Sequence, residues 1–264
     1  AKEFGIKLAA GMKLCRLPAM LKGLRRIHGE AGRKVRRGFS PQMLRTAMDA
    51  CLRPSNVDHA NIRAAFALAF QGLLRGAECS SDGKFKANKD MSRGDLRHIT
   101  VDRLVAMMCP CKNMQHLNGK TVPLIIGAGG AFIDAVAEMR NLLRVDPVDA
   151  NKAHSTPMFR LTKADGSRAP LTVEAIREWA KILANSVGQD PAHFGAHSFR
   201  IGGATALFAA GADPTVIRTM GRWSSDCYRL YVRACFEKTL DWTRICGSAA
   251  VSDVAEEFAE VDSY

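Results

Sequence analysis

Late in the chain, His197-Ser198-Phe199-Arg200 is followed by Gly221-Arg222-Trp223 and then by Tyr231-Val232-Arg233. A histidine and an arginine three apart share one face of a helix. Arginines grip phosphate oxygens through two parallel N–H bonds, and a phenol can act as a covalent nucleophile. Such a set suits a phosphodiester better than a neutral substrate. The chain has 3 tyrosines, and the third, Tyr264, is its last residue. Tyr228 lies three positions before Tyr231, near the same helical face, and competes with it for the nucleophile's role. Upstream, Arg75 and Glu78 are also three apart, at the end of an apolar helix. A carboxylate that orients a guanidinium makes it a better phosphate clamp, although an ordinary helix-end ion pair has the same spacing. Lys112 falls on the first arm of an expected hairpin, with Lys120 on the facing arm. A lone strand lysine is most often simply solvated.

The elements that must position these groups are read from periodicity and punctuation. Two short basic helices are expected before residue 38, followed by a charged linker, Gly32-Arg33-Lys34-Val35-Arg36-Arg37-Gly38. Ser40-Pro41 starts a fresh helix, with serine as N-cap and proline in the first turn. Asn61 to Leu74 reads as an apolar core helix, and the polar stretch Cys79 to Arg93 as a loop. Alternating segments at 96–99, 103–109 and 121–126 predict strands, with Asn118-Gly119 turning the last two into a hairpin. Helices are expected near 130–143, 172–187 and 200–210. Asp213-Pro214 opens another, and Ser224 or Ser225 caps one running through Tyr231. The expected class is α+β, mainly helical, with a small antiparallel β-sheet.

Composition narrows the function. The formal charge of +12 is concentrated at the front, where residues 1–50 carry 12 Lys/Arg against 3 Asp/Glu, a net +9. Asp253, Glu256, Glu257, Glu260 and Asp262 make the far end acidic. A basic front points to a polyanionic partner, although a solvated helix face would also account for it. The 8 cysteines lack a regular disulfide spacing and read as buried thiols in a reducing compartment. Cys109-Pro110-Cys111 near His116 lacks the usual zinc spacing and a second ligand pair. No apolar run reaches the roughly twenty residues that a membrane span needs. The chain begins without Met, so a fragment or processed piece is expected.

Taken in order, Arg75-x-x-Glu78, a hairpin Lys112, His197-x-x-Arg200, Gly221-Arg222-Trp223 and Tyr231-Val232-Arg233 resemble the tyrosine recombinase (phage integrase) family over roughly residues 40–240. The polar insertion 79–93, Pro157–Arg160, Gly188–Pro191 and His197–Thr205 are closest in style to recombinases of eukaryotic mobile elements. The resemblance implies three regions: the end of a helical core-binding domain plus linker (1–38), the catalytic domain (39–246) and an acidic tail (247–264). It also implies DNA strand transfer through a 3′-phosphotyrosyl link, with a free 5′-hydroxyl and no cofactor, metal or ATP.

In that scheme Tyr231 attacks, and Arg75 and Arg200 hold the non-bridging oxygens. Lys112 donates a proton to the leaving oxygen, and His197 works on the nucleophile side. Glu78 orients its neighbours, and Trp223 positions, standing where many relatives have histidine. Tyr-Val-Arg fits the family's Tyr-Ile-Arg ending and favours Tyr231 over Tyr228, although its spacing from Trp223 is one shorter than in much of the family. Double-stranded DNA is the implied partner, bound by a homo-oligomer of two to four subunits. The apolar positions of 236–264 would serve subunit exchange, and the location would be intracellular, nuclear if eukaryotic. Two other readings share these features: a catalytically silent, domesticated DNA-binding protein, and a type IB topoisomerase-like enzyme.

Overall fold

The structure, a computed structural model, describes residues 36–108 and 121–223 together with residues 229 and 244. Lys112, Lys120, Tyr228 and Tyr231 lie outside the described residues. So do the expected helices before residue 36, the Asn118-Gly119 turn and the acidic tail.

Six α-helices and two small sheets make up the described part. Helix α1 spans Pro41–Cys51, with the Ser40 hydroxyl accepting the Met43 N–H and Pro41 in the first turn, as the sequence predicts. Helix α2, Val57–Gln71, is capped by the Asn56 side chain, which accepts the N–H groups of Asp58 and His59. Residues Ala60 to Phe70 are all buried, so α2 is wrapped on every side, as an all-round apolar helix must be. Strands β1 (Leu96–Ile99), β2 (Arg103–Met108) and β3 (Val122–Gly127) form an antiparallel sheet in that order. The alternation in β2 turns Leu104, Ala106 and Met108 into the core.

Helix α3 (Ala135–Val145) starts five residues later than the sequence reading placed it, because the Asp134 carboxylate accepts the Ala137 N–H and sets the N-cap there. A second hairpin, β4 (Arg160–Thr162) with β5 (Arg168–Pro170), precedes helix α4 (Val173–Ser186). Helix α5 (Ser198–Ala209) and helix α6 (Pro214–Met220) follow, the latter capped by Asp213 with Pro214 in its first turn. Helix α2 packs against α3 and α5, and α1 packs against α4.

Aromatic stacking ties the linker to this core. The Phe39 ring lies 4.7 Å from Phe194 and 5.3 Å from Phe199, and Phe199 stacks on Phe66 of α2 at 4.2 Å. Offset pairs at such distances add about 0.5–1.5 kcal/mol beyond area burial. They fix the N-terminal end of α5, where His197 and Arg200 sit, relative to α2.

A buried ionic knot fastens the second hairpin. Asp146, just past α3, receives Arg160 Nη2 at 2.6 Å, Arg168 Nη2 at 3.0 Å, Arg93 Nη2 at 3.1 Å and Asn61 Nδ2 at 3.0 Å. Burial works against its charge, but Arg160, Asn61 and Arg168 outweigh burial and hold its carboxyl down at about 2. Burial in turn pushes Arg93 down to about 10.

Candidate active site

The apolar helix does not reach Arg75, contrary to the sequence reading. It stops at Gln71, and after Gly72 the chain enters the left-handed region at Leu73, φ 49°. Arg75 is extended and precedes a 3₁₀ turn, Gly76–Glu78. A non-glycine residue at positive φ costs on the order of 1–3 kcal/mol and is retained where surroundings fix it. Here the fixing is visible, because the Leu73 carbonyl accepts from both Arg200 Nη1 and Arg222 Nη2, the latter at 3.2 Å.

The expected pairing of Arg75 with Glu78 is present without the helix. Glu78 Oε1 accepts Arg75 Nη1 at 2.7 Å, and Oε2 accepts the Arg75 backbone N–H at 2.8 Å. Glu78 is 4% exposed and Arg75 24%. Burial pushes the Glu78 carboxyl up, but the charge of Arg222 and the bonds from Arg75 hold it below the ordinary value.

Arg200 is fully buried. Its Nη1 donates to Leu73 O, its Nη2 donates to Gly221 O at 2.7 Å, and its guanidinium lies 4.0 Å over the Trp223 ring. A cation on an indole face in a desolvated place is worth about 2 kcal/mol. Trp223 packs with Leu73, Ala204 and Ile217 in a small cluster beneath the site. Gly221 permits this, since a Cβ there would sit 1.7 Å from the Trp223 ring. Thus Gly-Arg-Trp forms a floor on which Arg200 rests.

His197 stands at the N-cap of α5, open to solvent yet closely surrounded by protein, while Arg200, three residues on, is fully buried. The turn carrying Arg75 packs directly on the segment before His197, where a Cβ on Gly76 would lie 2.7 Å from the Ala196 Cβ. Arg75 and His197 consequently line one cavity of about 570 Å³, with Arg36 from the linker and Arg177 and Lys181 from α4. Arg36 Nη1 is fixed there by the Phe194 carbonyl at 3.1 Å. Burial and then the charges of Arg200, Arg75, Arg36 and Arg177 hold the His197 imidazole below its ordinary value. Among the described residues the lining carries guanidiniums and an ammonium and no carboxylate, although Glu78, Glu174 and Glu178 pair with Arg75, Arg177 and Lys181 from beside it. Such a wall suits an anion such as a phosphodiester.

Five of the seven residues named from sequence (Arg75, Glu78, His197, Arg200 and Trp223) are therefore brought together, and Lys112 and Tyr231 fall outside the described residues. Sequence reasoning named no role for Arg222, Arg36, Arg177 or Lys181. The i, i+4 spacing of Arg177 and Lys181 on a helix was a usable signal for one of these faces. Arg222, judged from sequence alone, is just one basic residue among many.

No protein-family model and no curated protein sequence matches the chain. Solved structures do. The XerH site-specific recombinase bound to palindromic difH substrate, in a post-cleavage complex, matches with a TM-score of 0.56 at 15% identity, over 82% of this chain and 55% of that one. The pre-cleavage complex of XerH with difH gives 0.52 at 14% identity, over 82% and 56%. The fold is that of the tyrosine recombinase catalytic domain. The Tn1549 transposon integrase with circular intermediate DNA is also similar, with a TM-score of 0.48 at 12% identity over 81% of this chain and 67% of that one. This chain spans just over half the length of the XerH chain. In this structure the turn after α2 and the segment before α5 line one basic cavity, and the segment after α6 is bonded to both Arg200 and Glu78.

Proposed function

We propose that this chain is the catalytic part of a site-specific DNA recombinase or integrase that cleaves and rejoins strands through a 3′-phosphotyrosyl intermediate. The observation that carries the reading is the convergence of residues separated by up to 148 positions in sequence: Arg75 and His197 line one cationic cavity, Glu78 holds Arg75, and Arg200 lies buried on Trp223 and bonded to the turn that carries Arg75.

In this reading the scissile phosphate enters the cavity against Arg75. Arg75 and Arg200 supply fixed positive charge where the pentavalent phosphorus gathers negative charge. Because both guanidiniums are already oriented, by Glu78 and by the Leu73 and Gly221 carbonyls, little reorganisation accompanies the reaction. Tyr231 supplies the attacking oxygen and Lys112 a proton for the departing 5′-oxygen. His197, whose imidazolium is disfavoured by burial and by its cationic neighbours, can accept a hydrogen bond or a proton on the nucleophile side. The P–O bond to the 5′-oxygen breaks as the bond to the tyrosine oxygen forms. Reversal by another strand's 5′-hydroxyl restores the phosphodiester without ATP, and the arginines supply the charge a metal would otherwise bring. Double-stranded DNA is the partner, engaged by an assembly of two to four subunits.

The test is covalent trapping on nicked suicide duplexes drawn from a random-sequence pool, with wild type beside Tyr231→Phe and Tyr228→Phe. A denaturation-resistant adduct absent only in Tyr231→Phe supports the chemistry and the nucleophile. Loss only in Tyr228→Phe moves the nucleophile, and no adduct in wild type rejects the enzymatic reading.

A further inference from the structure

Arg222 sits where no general requirement for a basic residue would put it. Its backbone is left-handed, φ 55°, a conformation that non-glycine residues adopt infrequently. Its side chain is 10% exposed, so the charge is not there for solubility. The guanidinium is held from several sides: Nη1 donates to Met220 O at 2.8 Å and Gly72 O at 3.3 Å, and Nη2 to Leu73 O at 3.2 Å and Glu78 Oε2 at 3.0 Å. Three of these acceptors belong to the turn that carries Arg75, and the fourth to the end of α6. Arg222 thereby stitches the two segments together and places a second positive charge against the carboxylate that orients Arg75.

Its position beside Glu78 has a consequence. A carboxylate at 4% exposure is stable as an anion only if paired and hydrogen-bonded. Arg75 alone would have to satisfy both oxygens while also facing the cavity. With Arg222 taking a share of Oε2, Arg75 can leave Glu78 a single guanidinium bond, through Nη1 to Oε1. We infer that Arg222 is a positioning residue of the cleavage site, acting through Glu78 to fix the orientation of Arg75 toward the cationic cavity. The inference rests on the strand-cleavage reading for its effect on rate, but the ordering of Arg75 is a property of the protein alone.

Two measurements decide it. The first is the side-chain Nε–Hε resonance of Arg75 in ¹⁵N NMR, assigned by its disappearance in Arg75→Lys. It should be sharp and slow to exchange in the wild-type protein and averaged with solvent in Arg222→Gln. In Arg222→Lys, which keeps the charge but loses the fork, it should be intermediate. An Arg75 signal equally ordered in both variants overturns the inference, and Arg222→Lys alone decides if Arg222→Gln does not fold.

The second measurement is the rate of adduct formation on the nicked duplex in a double-mutant cycle. Arg222→Gln should slow the reaction about 10- to 100-fold, the range seen when partners that orient metal ligands are removed, with duplex affinity little changed. In a Glu78→Gln background the same substitution should cost no more than about twofold, because both act on one target. Full multiplicative losses would mean that Arg222 acts elsewhere. If the wild-type protein makes no adduct, the strand-cleavage reading falls, and the Arg75 resonance still decides the positioning role.

Discussion

At the scale of single residues, the protonation of His197 shows how surroundings choose chemistry. Burial and four neighbouring arginines all disfavour the imidazolium and hold the His197 ring below its ordinary value. A neutral ring can accept a proton or hydrogen bond from a phenol, whereas an imidazolium can only donate. The sign of the pH dependence follows. With the folded value depressed below 6.5, activity should be level from pH 7 to 8 and fall only as pH drops below 6.5. Folding should follow the same direction: the folded state disfavours the added proton, so stability falls as pH drops through the range between the unfolded and folded values. Single-turnover adduct formation from pH 5 to 8 measures the first effect. A midpoint at or above 6.5, or an acid limb that persists unchanged in His197→Asn, would contradict this account of the ring.

At the scale of elements, the second hairpin depends on a charge that no local pattern announces. Strands β4 and β5 are three residues each and could not persist alone. They are clamped to α2 and α3 by Arg160, Arg168 and Arg93 meeting at Asp146, with Asn61 of α2 donating to the same carboxylate and accepting the Arg160 backbone N–H at 2.9 Å. Removing one partner from a buried ionic cluster leaves unpaired charge and typically costs 3–5 kcal/mol. Asp146→Asn should therefore lower stability by about that amount in urea melts, although it lies outside the catalytic set. The depressed carboxyl gives a second signature. Its contribution is present above the ordinary aspartate value and is lost as pH falls toward about 2, so the stability gap between wild type and Asp146→Asn should close across that acid range. A constant gap would show that the charge is not what matters.

The same contrast explains what the sequence could and could not tell. Ser40-Pro41 and Asp213-Pro214 were legible because capping is local chemistry within four residues. Strands 96–99, 103–108 and 122–127 were legible from alternation and β-branched content, and Arg75–Glu78 from spacing. The stop at Gln71 was not, because Leu73 is driven to positive φ by acceptors that Arg200 and Arg222 demand from more than a hundred residues away. Arg222 stayed without a role for the same reason: its partners are three backbone carbonyls and one distant carboxylate, none of which leaves a trace in the residues beside it.

At the scale of the whole molecule, charge is distributed by function rather than evenly. Among the described residues Glu78, Asp146 and Glu138 are each held by arginines, while Arg36, Arg75, Arg177 and Lys181 line a cavity, Arg177 and Lys181 also pairing with Glu174 and Glu178 on the same helix. If that cavity is one stretch of a backbone-tracking surface, each phosphate it contacts should release condensed counterions, and log affinity should fall linearly with log salt by about 0.9 per contact on duplex DNA. Arg177 and Lys181, one helical turn apart on α4 and on the lining of that cavity, are the informative pair. Replacing either with Ala should weaken duplex binding to similar extents on unrelated sequences and reduce the salt slope by about 1. The double replacement should reduce it by about 2. Fluorescence anisotropy from 50 to 300 mM salt on two unrelated duplexes makes the comparison. An unchanged slope would confine DNA to other faces of the molecule. A loss specific to one sequence would make these side chains readers of bases rather than holders of phosphates, because phosphate contacts carry no direct sequence information.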